Sequence, residues 1–168
     1  METPMGSEAS LLLALENQSR RVGSGLRSSD LVGVWRLHQL WDKGSLVPMR
    51  VTAAILRGLF ASLELQHGDD DSLWIQNFLA LGGLKLSFEG SAHLRGPRPL
   101  LVFCFHTVRL TLASHLVWSL TLPDPTQRKE PFFALIACQQ TQGGKRWLAA
   151  RGRGGGLALW THAEGDAL

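Results

Sequence analysis

The segment that decides the fold is Lys145-Arg-Trp-Leu-Ala-Ala-Arg-Gly-Arg-Gly-Gly-Gly-Leu-Ala-Leu-Trp160. Two apolar runs flank an Arg-Gly-Arg-Gly-Gly-Gly core. In a polar, disordered tail such a core is an arginine–glycine box for nucleic acid. Between apolar flanks it reads as the last strand pair of a β-protein, bent where glycine permits. A phosphate cradle would need a helix after the glycines, and Leu157-Ala-Leu-Trp160 reads as strand. No nucleic-acid partner is expected.

Working backwards from that pair, the same alternation recurs. Leu84, Leu86 and Phe88 alternate with Lys85, Ser87 and Glu89; Val108, Leu110 and Leu112 alternate with Thr107, Arg109 and Thr111. Such a period of two marks strands with one face inward. Leu63 and Leu65, Leu73–Leu81, Leu100–Phe105, Leu116–Leu122 and Phe132–Cys138 extend the series. On the first strand, Trp35, Leu37 and Gln39 share one side, with Arg36 and His38 on the other. Residues 49–59 read either as a short helix lying over the structure or as more strand. Residues 8–21 read as a helix with Ser7 as N-cap, a Leu11, Leu12, Leu15 stripe and Gly23 as its stop. One helix followed by eight to ten short strands predicts a mainly β antiparallel barrel or sandwich. The organisation is 1–30 helix and loop, 31–162 β-domain, and 163–168 a short tail.

The chain has 168 residues, enough for one domain with its own core. Hydrophobic residues make up 45% and charged residues 18%, a globular balance. A net charge of +3 is too small to indicate nucleic acid but suits weak attraction to an anionic membrane surface. Six Trp and seven Phe with no Tyr favour an apolar core or an apolar pocket. Cys104 and Cys138 lack metal or redox spacing and read as reduced thiols. No apolar run is long enough to span a bilayer. The Met1 end lacks the order of a secretion signal, and Glu2, Glu8 and Glu16 argue against a transit peptide. A bacterial cytoplasm, or a membrane surface facing it, is the expected setting.

Catalytic and metal chemistry find little footing. The six histidines are scattered without ligand spacing, and Gly68-Asp-Asp-Asp-Ser72 lacks the later Gly and Glu of a calcium loop. Ser114-His115 is adjacent in sequence, which does not set a nucleophile against a base. Asp124, Glu130, Glu164 and Asp166 lie in loops or the tail. Neither a cofactor nor a catalytic residue is expected. Gly33-x-Trp35 at the start of the first strand allows close packing, so that the indole plugs one end of a barrel. Arg151 or Arg153 is the expected cation over that ring. Phe88, Phe103, Phe105, Trp118 and Phe133 are the inward aromatic candidates, either for a packed core or for the lining of a ligand cavity.

Here the two ends of the chain resemble a known family. Leu31-Val-Gly-Val-Trp-Arg-Leu resembles the "L-x-G-x-W-x-L" opening of the plastid lipid-associated (fibrillin) proteins. Leu148-Ala-Ala-Arg-Gly-Arg-Gly-Gly-Gly-Leu-Ala-Leu resembles their closing "L-R-I-x-R-G-x-x-G-x-x-F-V-L", and Pro131-Phe-Phe fits their late apolar strand. The resemblance runs over about residues 10–162 in order of features; the middle matches only in character. Gln140–Arg146 stands in place of a "T-T-Y-L-D-E" stretch, and Gln39-Leu40-Trp41 replaces "Y-T-S". These departures bear on the ligand more than on the fold and suggest a divergent cyanobacterial relative.

The resemblance implies a lipocalin-like barrel, attachment to photosynthetic (thylakoid) membranes or lipid bodies, and non-enzymatic binding of a lipid, quinone or carotenoid. Two rival readings stand beside it. One is a bilin lyase or chaperone on a similar barrel, with Arg50, Arg109 or Arg151 meeting bilin propionates. The other is a ligand-free interaction module docking through Arg95–Arg98 or Arg128-Lys129.

Overall fold

A computed structural model describes residues 8–49, 52, 61–68, 72–123 and 130–163. Two helices come first, α1 (Glu8–Val22) and α2 (Ser28–Leu31). Among the described residues nine strands follow: β1 (Gly33–Trp41), β2 (Ser62–His67), β3 (Leu73–Leu81), β4 (Leu84–Arg95), β5 (Leu100–Leu112), β6 (His115–Thr121), β7 (Phe132–Gln140), β8 (Arg146–Gly152) and β9 (Leu157–His162). All the pairings are antiparallel. β1 to β5 pair in sequence, the first residues of β5 pair with β7, and β7, β8 and β9 lead back to β1. The sheet thus closes in a ring of eight strands. β6 lies outside it, paired to the last part of β5. The segment 49–59 lies outside the described residues except for Met49 and Thr52, as do Ser7, Asp69–Asp71, Asp124, Glu164 and Asp166.

The arginine–glycine run is the β8–β9 hairpin. Gly152 N–H donates to Gly156 O at 2.9 Å, and Gly155 takes φ +92° in the turn. Positive φ at this position is what glycine supplies at least cost.

Among the described residues four bulges shape the sheet, three in the ring and one in β6. Each inserts one residue and moves the side chains beyond it to the opposite face. In β1 the extra residue is His38, so Leu40 rather than Gln39 follows Trp35 and Leu37 inward. The expected Trp35, Leu37, Gln39 face is corrected accordingly. His106 in β5, Val117 in β6 and Ile136 in β7 are the other inserted residues. Beside the β5 bulge Gly90 pairs with Phe105, and a Cβ there would lie 1.8 Å from Cys104 O. Only a residue without a side chain lets β4 and β5 approach this closely.

Two apolar clusters divide the molecule. The inner one fills the ring with Trp35, Leu65, Ile75, Leu101, Leu135, Leu148 and their neighbours. The outer one seats α1 against β7, β8 and β9, where Ala9 and Leu12 meet Ile136, Ala149 and Leu159. The helix buries Ala9, Leu12, Glu16 and Ser19 rather than the expected Leu11, Leu12, Leu15 stripe; Leu11 is exposed and Leu15 half-buried. The helix stops where expected. Gly23 has φ +81° and donates to Ser19 O, and a Cβ there would meet Pro97 O at 2.5 Å.

Gly90→Ala therefore costs at least about 2 kcal/mol of unfolding free energy, while Gly154→Ala stays within about 0.5 kcal/mol. A Cβ on Gly154 meets nothing within 4 Å. Urea unfolding of the two variants beside the wild type checks this.

Candidate functional site

The ring has two unlike ends. At the first, the α2 turn brings Leu31 inside, with its side chain fully buried. Asp30 closes that turn by accepting Arg27 N–H at 2.8 Å. The Trp35 indole, also fully buried, donates Nε1–H to Leu31 O at 2.7 Å. His162 meets the Trp35 ring edge-on at 5.0 Å. Gly33 has φ +135°, and a Cβ there would fall 2.2 Å from His162 Nε2. The glycine two residues before the tryptophan thus makes room for the ring that packs on it.

The cation over Trp35 is Arg146, with Cζ 5.2 Å from the ring centre. It also donates to Asp30 O at 2.6 Å. This corrects the expectation of Arg151 or Arg153. On β8, Leu148 and Ala150 join the inner cluster, while Ala149 and Trp147 pack in the outer one. Strand alternation puts Arg146 with the inner set and Arg151 with the outer. Arg153 lies in the turn at the opposite end of β8, where Nη1 donates to Glu130 O. Cys138 closes the same end as Arg146, its Sγ 3.4 Å from Asp30 O, and burial pushes its thiol pKa up.

Arg151 serves a different joint. Its Nε and Nη2 donate to Glu16 at 2.7 and 2.5 Å. Glu16 also accepts from Arg20 at 2.9 Å and from Arg98 at 3.1 Å, and its side chain is only 3% exposed. Arg151 first, and Arg20 after it, pull the carboxyl pKa down to about 2 despite burial. Arg151 in turn is held above its usual value by the same carboxylate. This joint ties α1 to the β4–β5 turn and to β8.

Among the described residues the second end of the ring opens into a cavity. A cavity of about 480 Å³ lies between β1, β2, β3, β7 and β9. Its walls include Leu37, Leu63, Leu79, Phe133, Ala158 and Trp160, and Asn77 and Ser62 place polar groups beside it. Residues 42–49 fold back beside it, with Met49 N–H donating to Leu40 O at 2.7 Å. Ligand sites of this kind run from about 300 to 1,000 Å³ with mostly apolar walls and few polar groups.

Four of the five aromatic candidates form one string. Phe88 contacts Phe105 (5.7 Å), Phe105 contacts Phe103 (5.3 Å), Phe103 stacks on Phe133 (5.1 Å), and Phe133 meets Trp160 edge-on (5.5 Å). Phe88 and Phe133 line the cavity, while Phe103 belongs to the packed core and Phe105 packs against it. Trp118 does neither. It sits on β6 and is 48% exposed, because β6 has left the ring. Trp160, Leu40 and Asn77 are wall residues that were not singled out in advance. The alternation Ala158, Trp160 in register with Leu40, Leu37 is the signal that finds the first two.

The arginines of the rival readings are otherwise engaged. Arg109 pairs with Glu89 at 2.8 Å, Arg95 with Glu130 at 3.2 Å, and Arg98 with Glu16. Arg50, Arg128 and Lys129 lie outside the described residues. Both cysteines are free thiols. Among the described residues no helix is long and apolar enough to cross a membrane. No protein-family model matches the chain, and no curated protein matches it either.

Two tests follow from this geometry. Arg146→Met loses about 2 kcal/mol through the ring contact and the carbonyl bond, whereas Arg153→Met, at an exposed turn, loses less than about 0.5 kcal/mol; chemical denaturation separates them. The Glu16 carboxylate has a folded pKa below its unfolded value, so its stabilisation is full above pH 4.5 and disappears as pH falls towards 2. Solvent at half-exposed Arg20 screens part of this, leaving on the order of 2 kcal/mol. The stability gap between wild type and Glu16→Gln, measured from pH 7 to pH 2.5, is expected to stay constant down to about pH 5 and then to narrow steadily, with a remainder left at pH 2.5.

Proposed function

We propose that this protein is a non-enzymatic carrier or sensor of an apolar molecule, built on a lipocalin-like barrel and acting at photosynthetic membranes. The ligand is a lipid, quinone or carotenoid, and it lies in the cavity against Phe133 and Trp160. One observation carries the reading: among the described residues the ring is packed around Trp35 and leaves an apolar cavity at its other end. A chain using its interior only for stability gains nothing from unfilled apolar space, since each void forfeits packing energy. Apolar walls supply the affinity. The Asn77 amide offers a partner for a quinone carbonyl or a headgroup oxygen.

The bilin reading has less support. Of its three anchoring arginines, Arg109 and Arg151 are bound to carboxylates. A ligand-free module leaves the cavity without a role. The resemblance of Leu31–Leu37 and Leu148–Leu159 to the fibrillin ends favours the carrier over both.

Titration of plastoquinone against tryptophan fluorescence tests the proposal, because Trp160 and Trp41 both border the cavity. The expected result is saturable one-to-one quenching. Ala158→Phe, which fills the cavity, should weaken it at least about tenfold, or 1.4 kcal/mol. Absence of saturable quenching by quinone, carotenoid and fatty acid alike overturns the reading.

A further inference from the structure

We propose that the exposed tip formed by β5, β6 and the β3–β4 turn is a docking surface for an anionic lipid bilayer. The docking stands on the patch itself. That it brings the cavity beside its source of ligand rests on the carrier reading above.

Every residue of β6 is exposed, including Leu116 (59%), Val117 (59%), Trp118 (48%) and Leu120 (47%). Leu81, Leu84 and Leu112 at the neighbouring turns are exposed as well. These are not scattered side chains. Leu79, Leu86, Leu110 and Trp118 are paired in succession across four strands, and Leu81, Leu84 and Leu112 form the next row. Direct partners share a face of the sheet, and Leu79 and Phe88 of that face also line the cavity. The apolar surface therefore runs on from the cavity wall to the tip. The tip is well built: Ala113 and Ser114 take positive φ in a two-residue turn, and Ala113 N–H donates to Gly83 O at 2.8 Å.

A bilayer suits this shape better than a protein partner. Trp118 and Leu120 lie on the cavity-side face, whereas Leu116 pairs with Thr111 on the opposite face and Val117 occupies the bulge between them. Lys85, Ser87, Arg109, Thr111 and Ser119 share the face of Leu116, so the tip is apolar on one side and polar on the other, the shape that lies in a headgroup boundary with its apolar face down. An indole prefers the depth of the headgroup boundary. Residues 79–88 and 107–122 hold Lys85, Arg109 and His115 and no Asp or Glu. Glu89 offsets Arg109, so Lys85 and the overall +3 charge set the preference for anionic lipid.

Vesicle flotation tests this with the full chain, using phosphatidylcholine alone and phosphatidylcholine mixed with phosphatidylglycerol. The wild type is expected to float with the mixed vesicles. Val117→Asp and Trp118→Ser, on a strand with no buried side chain, should lower the bound fraction at least about tenfold. Lys85→Gln should lower binding to the mixed vesicles alone, by about fivefold. Flotation of Val117→Asp equal to wild type overturns the proposal, as does a wild type that floats with neither vesicle. A dimer in light scattering that Val117→Asp disperses, without flotation, overturns it in favour of an interface between copies. Quinone titration of the same variants separates the two claims. Val117→Asp that binds quinone but not vesicles supports both. A wild type that floats but binds no quinone removes only the carrier.

Discussion

The buried indole of Trp35 sets the rest of the structure. Its N–H must find an acceptor once it leaves water, and the acceptor is Leu31 O, which fixes the α2 turn across the end of the ring. Its face takes Arg146 and His162 packs against it at right angles, so β1, β8 and β9 are held at one depth. Gly33 exists in this arrangement because any Cβ would displace His162. Once these groups are seated, one end of the interior is closed to any ligand. The space that remains lies towards Trp41, Leu157 and Met49.

Outside the ring, Glu16 does for α1 what Trp35 does within. A carboxylate this deeply buried is costly unless well paired. Its partners Arg98 and Arg151 come from the β4–β5 turn and from β8, while Arg20 comes from the helix itself. The joint specifies where the helix lies on the outer face as well as how firmly. Arg151 of the arginine–glycine run is thereby committed to a structural role.

The strands and the inner aromatic positions were legible because alternation depends only on local chemistry. Phe88, Phe103, Phe105 and Phe133 all fall on the inner face, and Gly33-x-Trp35 marks the packed end. The cation was misplaced although the information was present: counting from Leu148 and Ala150 puts Arg146 inward and Arg151 outward. The bulges at His38, His106, Val117 and Ile136 were not legible, since nothing in the local pattern says that a partner strand is one residue shorter. Trp118 failed for a related reason. Leu116–Leu122 is an apolar run, but whether it joins the ring or leaves it depends on whether β7 takes the start of β5. Glu16 sits in register with Ala9, Leu12 and Ser19 on one helix stripe; a charge on a buried stripe is the signal that it has partners elsewhere in the chain.

The claim that the interior is sealed at one end and receptive at the other has a direct measurement. Methyl-resolved NMR with a spin-labelled fatty acid reports which leucines lie near the bound molecule. The account predicts broadening of Leu37, Leu40, Leu63 and Leu79, with Leu31, Leu65 and Leu148 at the Trp35 end unaffected. Broadening confined to surface leucines, or uniform throughout the core, would contradict it.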